Sequence, residues 1–344
     1  MGQPISQTLA PDGELVAAHD FTAEDLRGFH RDLVLARRID TEAFALQRHG
    51  ELGLWAPMLG QEAAQIGSAR ALAPNDFVFP SYREHAVAWC RGLDPSLLLS
   101  IFRGTTLGGW DPAEYGYALP AIIIGAQTLH AVGYGIGLTL EGKEDAVVTY
   151  FGDGATSQGD TNEAFAWAAS YNAPVVFFCQ NNQYAISVPL ERQTRVPIAQ
   201  RAAGFGFEGV RVDGNDVLAV HQVTTEALAK ARAGGGPTLI EAITYRVGAH
   251  TTSDDPGRYR DPHEADEWAE RDPLMRLRTL LERTDPGFAE FDEQVSAEAE
   301  QLGVHMREAC RSLPDPELDQ LFEHVYADVP PELVAQREEV RSWS

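Results

Sequence analysis

The sequence predicts an α/β protein: a doubly wound, mostly parallel sheet flanked by helices, with helical N- and C-terminal extensions. Two observations carry this prediction. Four short apolar runs, AVVTYF (146–151), PVVFFCQ (174–180), GVRVDG (209–214) and PTLIEAITYR (237–246), are separated by segments with helical periodicity. Runs that are apolar on both sides of the pleat belong to strands covered on both faces, and their alternation with helices is the doubly wound pattern. On either side of this region, from Phe21 and from Asp266, apolar residues recur at helical spacing among charged ones.

Residues 1–20 are polar, contain Pro and Gly, and have no periodicity, so they are expected to form a flexible N-terminal arm. The stretch 21–47 reads as a long helix, and GQEAAQIGSARAL (60–72) as a second one that starts after a glycine. PNDFVFPSYRE (74–84) reads as irregular, and RGTTLGGWDPAEYGY (103–117) as a glycine-rich loop. The small-residue stretch 121–140 is expected to be one buried helix, with glycines that permit close backbone contact. No repeat or low-complexity linker divides the chain, so residues 21–344 are expected to form a single domain.

With 51 acidic and 27 basic side chains the net charge is −24, which disfavours nucleic acid and anionic lipid as partners. No run of about 18 apolar residues exists, and the first 20 residues lack the features of a secretory or transit peptide, so a cytoplasmic location is expected. Cys90, Cys179 and Cys310 lie far apart and form no disulfide or zinc pattern.

The most informative unit spans residues 146–187: strand, GDG turn, helix, strand, NNQY turn. In a parallel sheet both turns fall at the carboxyl ends of their strands, which brings Asp153 and Asn182 to the edge where such folds bind ligands. A carboxylate, an amide oxygen and a nearby backbone carbonyl suit Mg²⁺, with phosphate oxygens and water completing its shell. Gly152 and Gly154 permit a tight turn. GDG alone is also a common turn; the Asn pair one strand later is what makes the pattern informative.

Gly152-Asp153-Gly154 with Asn181-Asn182 resembles the signature of thiamine-diphosphate enzymes. Pro80-Ser81-Tyr82-Arg83-Glu84-His85, Tyr184-Ala185-Ile186-Ser187 and the run from Tyr245 to Asp255 (YRVGAHTTSDD) are similar to alpha subunits of 2-oxo acid dehydrogenases, and the likeness extends over nearly the whole chain after residue 21. The resemblance implies the thiamine-diphosphate-binding fold. It implies that Asp153 and Asn182 bind Mg²⁺ through side chains and Tyr184 through its carbonyl. Gly152, Gly154 and Ala155 would lie against the diphosphate, with Tyr82 and Arg83 beside it. Ile122 and Ile124 would contact the cofactor, Ile124 as the prop under its bend. His250 would both contact the cofactor and be the catalytic histidine, transferring a proton or hydrogen-bonding to the reacting carbonyl. Arg246 is expected to pair with Asp254 and Asp255 and hold that loop.

The resemblance further implies a separate beta subunit that supplies the activating glutamate, a heterotetramer of two alpha and two beta chains, and a lipoyl-bearing acyltransferase that receives the acyl group from a small 2-oxo acid. TTSDD and FFCQNNQYAIS look closer to branched-chain than to pyruvate (or acetoin) enzymes. The chain departs from branched-chain members at Ala249, Thr251 and Gln180, so phosphorylation of the loop is not expected. Ala126 stands where a threonine is tied to a monovalent cation, so no potassium site is expected. A nucleotide-binding oxidoreductase fits less well, because Gly133, Gly135 and Gly137 lie within a helical segment. A non-catalytic supporting subunit is disfavoured by the presence of Asp153, Asn182 and His250.

Overall fold

The structure, a computed structural model, describes residues 4–106, 109–323 and 325–343. Residues 1–3 of the expected arm, Leu107 and Gly108 of the expected glycine-rich loop, His324 and Ser344 lie outside the described residues.

Among these residues, six strands form one sheet: β1 (Ile5–Ser6), β2 (Phe77–Phe79), β3 (Val147–Gly152), β4 (Val175–Asn181), β7 (Glu208–Asp213) and β8 (Thr238–Ile243). The order is β1-β7-β8-β4-β3-β2, and every neighbouring pair is parallel. Strands β5 (Tyr184–Ala185) and β6 (Val188–Pro189) form a separate antiparallel hairpin just beyond β4. The four expected strands are present, three of them within one residue of their sequence bounds, while the fourth, expected over 237–246, ends at Ile243. Val148, Tyr150, Val176, Phe178 and Ile240 pack on one face of the sheet, and Val147, Phe151, Val175, Phe177 and Leu239 on the other. That double burial is why these runs lack polar alternation.

The helix Ala23–Arg48 begins at a capping box in which the Thr22 side chain accepts from the Asp25 amide and the Asp25 side chain accepts from the Thr22 amide. It packs against the helix Phe288–Ser312, which belongs to the expected C-terminal helical extension. Among the described residues no helix is long and apolar enough to cross a membrane.

Three expectations are corrected. Residues 4–16 are not a loose arm: β1 pairs with β7, the amides of Thr8 and Leu9 donate to Asp216 at 2.6 and 2.7 Å, Arg276 donates to the Leu9 carbonyl, and Leu9 is fully buried. Residues 74–84 are not wholly irregular, because β2 lies among them. The helix expected over 121–140 starts only at Ala126. Gly125, at φ +91°, takes a left-handed conformation there that prevents the helix from extending backwards, and leaves Ile122 and Ile123 exposed.

Candidate active site

Strands β2, β3, β4 and β8 are consecutive neighbours, and all four end at the same edge of the sheet. β2 leads into Ser81, Tyr82 and Arg83; β3 into Asp153; β4 into Asn182; and β8, through Tyr245 and Arg246, into His250. Parallel registry, with Gly152 opposite Gln180 and Asn181 opposite Ile243, aligns these ends. Tyr82, Arg83, Ile124, Gly152, Asp153, Gly154, Ala155, Asn182, Tyr184 and His250 therefore share one cavity of about 240 Å³. Ile122 does not border it and is 65% exposed, whereas Ile124, at 38%, turns toward it.

In this cavity the Asp153 carboxylate, the Asn182 amide and the Tyr184 carbonyl converge. One end of the Asn182 side-chain amide lies 3.2 Å from Asp153 Oδ1 and 3.0 Å from the Tyr184 carbonyl. With its NH₂ toward them the amide donates to both oxygens, and with its oxygen toward them the three groups would offer a cation three oxygens. The other end of the amide lies 3.0 Å from the Gln61 side-chain amide. Gln193 donates to the other Asp153 oxygen at 2.6 Å, and Arg246 donates to the Tyr184 carbonyl at 3.1 Å. Burial pushes the Asp153 carboxyl up to about 6, against the opposing pull of the Gln193 bond. Neighbouring ligands of an octahedral Mg²⁺ bound at about 2.0–2.1 Å stand about 3 Å apart, so this spacing fits that ion.

Two arginines line the same cavity. Arg83 and Arg246 are both buried and, among the described residues, neither forms a salt bridge. Arg83 donates to the carbonyls of Pro57 at 2.5 Å and His250 at 2.9 Å. Two guanidinium groups held out of water without carboxylate partners make a site for an anion. A side chain at Gly152 would meet no protein atom closer than the Gln180 carbonyl at 4.0 Å, so its missing side chain leaves ligand space. At Gly154, by contrast, a Cβ would come within 2.7 Å of Ala185 Cβ, so glycine there lets the hairpin approach.

His250 sits at the mouth in edge contact with Tyr82, ring centroids 6.0 Å apart. Burial, and then the charges of Arg83 and Arg246, lower its pKa to about 4, so its imidazole is neutral at physiological pH. Arg246 does not pair with Asp254 or Asp255 as expected. It points inward to the carbonyls of Tyr184 and Ile186 and to the Tyr259 hydroxyl, while Asp254 accepts from the His250 amide and from Tyr259.

Sequence reading missed Gln61, Gln127, Gln193 and the cavity role of Arg246. Gln127 lines the cavity with its Oε1 buried and unpartnered. Its position directly after the Gly125-Ala126 helix start was the available signal. Gln180, just before the Asn pair, donates to the buried Glu84 carboxylate at 2.6 Å.

Residues 30–313 match the family described as dehydrogenase E1 component. The chain belongs to that family. It is 46% identical to the 3-methyl-2-oxobutanoate dehydrogenase subunit alpha of Mycobacterium tuberculosis (strain CDC 1551 / Oshkosh), over 99% of this chain and 94% of the relative. Identity is 38% to the pyruvate dehydrogenase E1 component subunit alpha of Bacillus cereus and 39% to that of Bacillus subtilis (strain 168), each over 96% of this chain and 91% of the relative. Within the E1 family the chain is thus nearer to the branched-chain relative than to these pyruvate ones, in line with the sequence expectation.

Proposed function

We propose that this chain is the alpha subunit of a cytoplasmic branched-chain 2-oxo acid dehydrogenase that binds thiamine diphosphate and Mg²⁺ and acts on acids such as 3-methyl-2-oxobutanoate. The convergence of Asp153, Asn182 and the Tyr184 carbonyl in one cavity with two guanidinium groups that have no carboxylate partner is the observation that carries the cofactor reading, because a magnesium diphosphate needs oxygen ligands and cations together. Asp153, Asn182 and the Tyr184 carbonyl would hold the ion, Arg83 would face the diphosphate, and Ile124 would support the organic part. When bound, thiamine diphosphate supplies the nucleophilic carbon and the electron sink that decarboxylation of a 2-oxo acid requires.

The chain's own residues then orient and shield. Asp153 and Asn182 fix the depth of the anion. The neutral His250 can donate a hydrogen bond from its N–H to the substrate's oxygen, or accept a proton at its unprotonated ring nitrogen. Arg83, Asp153, Asn182 and Arg246 are themselves buried, which limits water at these groups. The relatives' status as alpha subunits supports a beta subunit that completes the site, a heterotetramer of two alpha and two beta chains, and a lipoyl-bearing acyltransferase as acceptor. In this reading residues 21–344 act as one domain together with the docked N-terminal segment, whose strand β1 joins its sheet.

The test is turnover by the chain co-expressed with a beta partner, comparing 3-methyl-2-oxobutanoate with pyruvate. A higher kcat/KM for the branched acid is expected. A higher value for pyruvate would move the assignment to the pyruvate enzymes.

A further inference from the structure

Asp40 lies far from the cavity in sequence and does not border it, yet its surroundings lead there. It sits on the helix Ala23–Arg48, is 5% exposed, and forms no salt bridge among the described residues. Its carboxylate accepts from Trp55 Nε1 at 2.8 Å, the Met58 amide at 3.0 Å and the Leu59 amide at 3.1 Å. All three donors belong to one segment, 55–59. Residues 54–58 have no regular secondary structure, although Trp55, Ala56 and Met58 are fully or almost fully buried. A buried carboxylate is costly unless its donors stay in place, so the segment cannot shift without stranding that charge.

The opposite side of the same segment is spent on the site. The Pro57 carbonyl accepts from Arg83, and the Ala56 carbonyl pairs with Nε2 of His85, two positions further on. The Trp55 carbonyl accepts from the Thr252 amide at 2.9 Å, and the Trp55 amide donates to Thr252 Oγ1 at 3.0 Å. The Leu59 carbonyl accepts from the Val247 amide at 3.1 Å. Gly60, at φ +92°, turns so close to Tyr245 that a Cβ would overlap its carbonyl. The Trp55 ring stacks on His85 with centroids 4.0 Å apart. The segment therefore grips Arg83 on one side and brackets His250 between Val247 and Thr252 on the other.

We propose that Asp40, acting through Trp55 and the backbone of 55–59, is a positioning residue that sets the placement of Arg83 and His250. This rests on the cofactor reading of the cavity, but the clamp itself is a property of the chain without cofactor. It is not a catalytic residue, since nothing in the cavity touches it.

The experiment uses the co-expressed alpha–beta enzyme with Asp40→Asn, Trp55→Phe and the double variant, and combines hydrogen exchange without cofactor with steady-state kinetics. In both single variants the Val247 and Thr252 amides should exchange about tenfold faster or more, while those of β4 stay at the wild-type rate. The affinity for thiamine diphosphate should weaken and kcat should fall, each by about tenfold. The double variant should be no worse than the poorer single one, because both break one clamp. Should Asp40→Asn fail to assemble, Trp55→Phe carries the same comparison. Wild-type exchange at Val247 and Thr252, or losses that simply add in the double variant, would overturn the proposal. If even the unsubstituted enzyme does not bind thiamine diphosphate, the cofactor reading fails, and the exchange data still decide the clamp.

Discussion

The guanidinium of Arg83 donates to the carbonyl of His250 at 2.9 Å and stands 3.3 Å from its Nδ1. One cation thus fixes the backbone of the histidine and disfavours protonation of its ring. Together with burial, the larger effect, and with Arg246, this holds the imidazole near pKa 4. In the cofactor-free protein the NMR titration of His250 should therefore have its midpoint near 4. Arg83→Met should raise that midpoint and still leave it below the ordinary 6.5. The sign for stability follows: the unfolded chain takes up the proton below about 6.5 and the folded one only near 4, so this group weakens the fold as pH falls through that window. A midpoint at 6.5 in the wild type would show an exposed ring instead.

Replacing the ring separates chemistry from binding. His250→Asn should leave Mg²⁺-dependent thiamine diphosphate affinity near wild type and lower kcat by about 10² to 10⁴, the range for loss of a positioned acid–base group. Calorimetry and turnover on the same preparation check this, and an equal loss in both would make His250 a binding residue.

A third expectation concerns Gly154, where a Cβ would crowd Ala185 Cβ at 2.7 Å. Gly154→Ala should push the β5–β6 hairpin outward and carry the Tyr184 carbonyl away from Asn182. Weaker Mg²⁺ affinity should result, with recovery in Gly154→Ala/Ala185→Gly. No recovery in the double variant would mean that the glycine serves the ligand rather than the hairpin.

The docked N-terminal segment gives a fourth. Leu9 is fully buried against Leu218, Leu277 and Leu280. Leu9→Ala should lower stability by about 2–5 kcal/mol, read as a drop in midpoint in chemical denaturation. A change within error would restore the picture of a loose arm.

What sequence could show followed from local pattern. The strands carrying Asp153 and Asn182 are long and apolar on both faces, so the turns after them were legible as one edge of a parallel sheet. β2 was not legible, because three residues, Phe77–Phe79, give too little pattern to read, and it is this strand that delivers Tyr82 and Arg83 to the same edge. The N-terminal arm looked mobile because its order comes from Asp216 and Arg276, more than 200 positions away. Arg246 was misread for a similar reason: acidic residues close in sequence were more visible than the Tyr184 and Ile186 carbonyls that hold it.

The central claim is that Asp153, Asn182 and the Tyr184 carbonyl form a magnesium–diphosphate floor on this chain. The most direct measurement is calorimetric binding of thiamine diphosphate to the co-expressed alpha–beta enzyme, with and without Mg²⁺, for wild type and Asp153→Ala. Tight binding that needs Mg²⁺ in the wild type and is lost in the variant is the predicted result, and binding that is indifferent to both Mg²⁺ and Asp153 would contradict it.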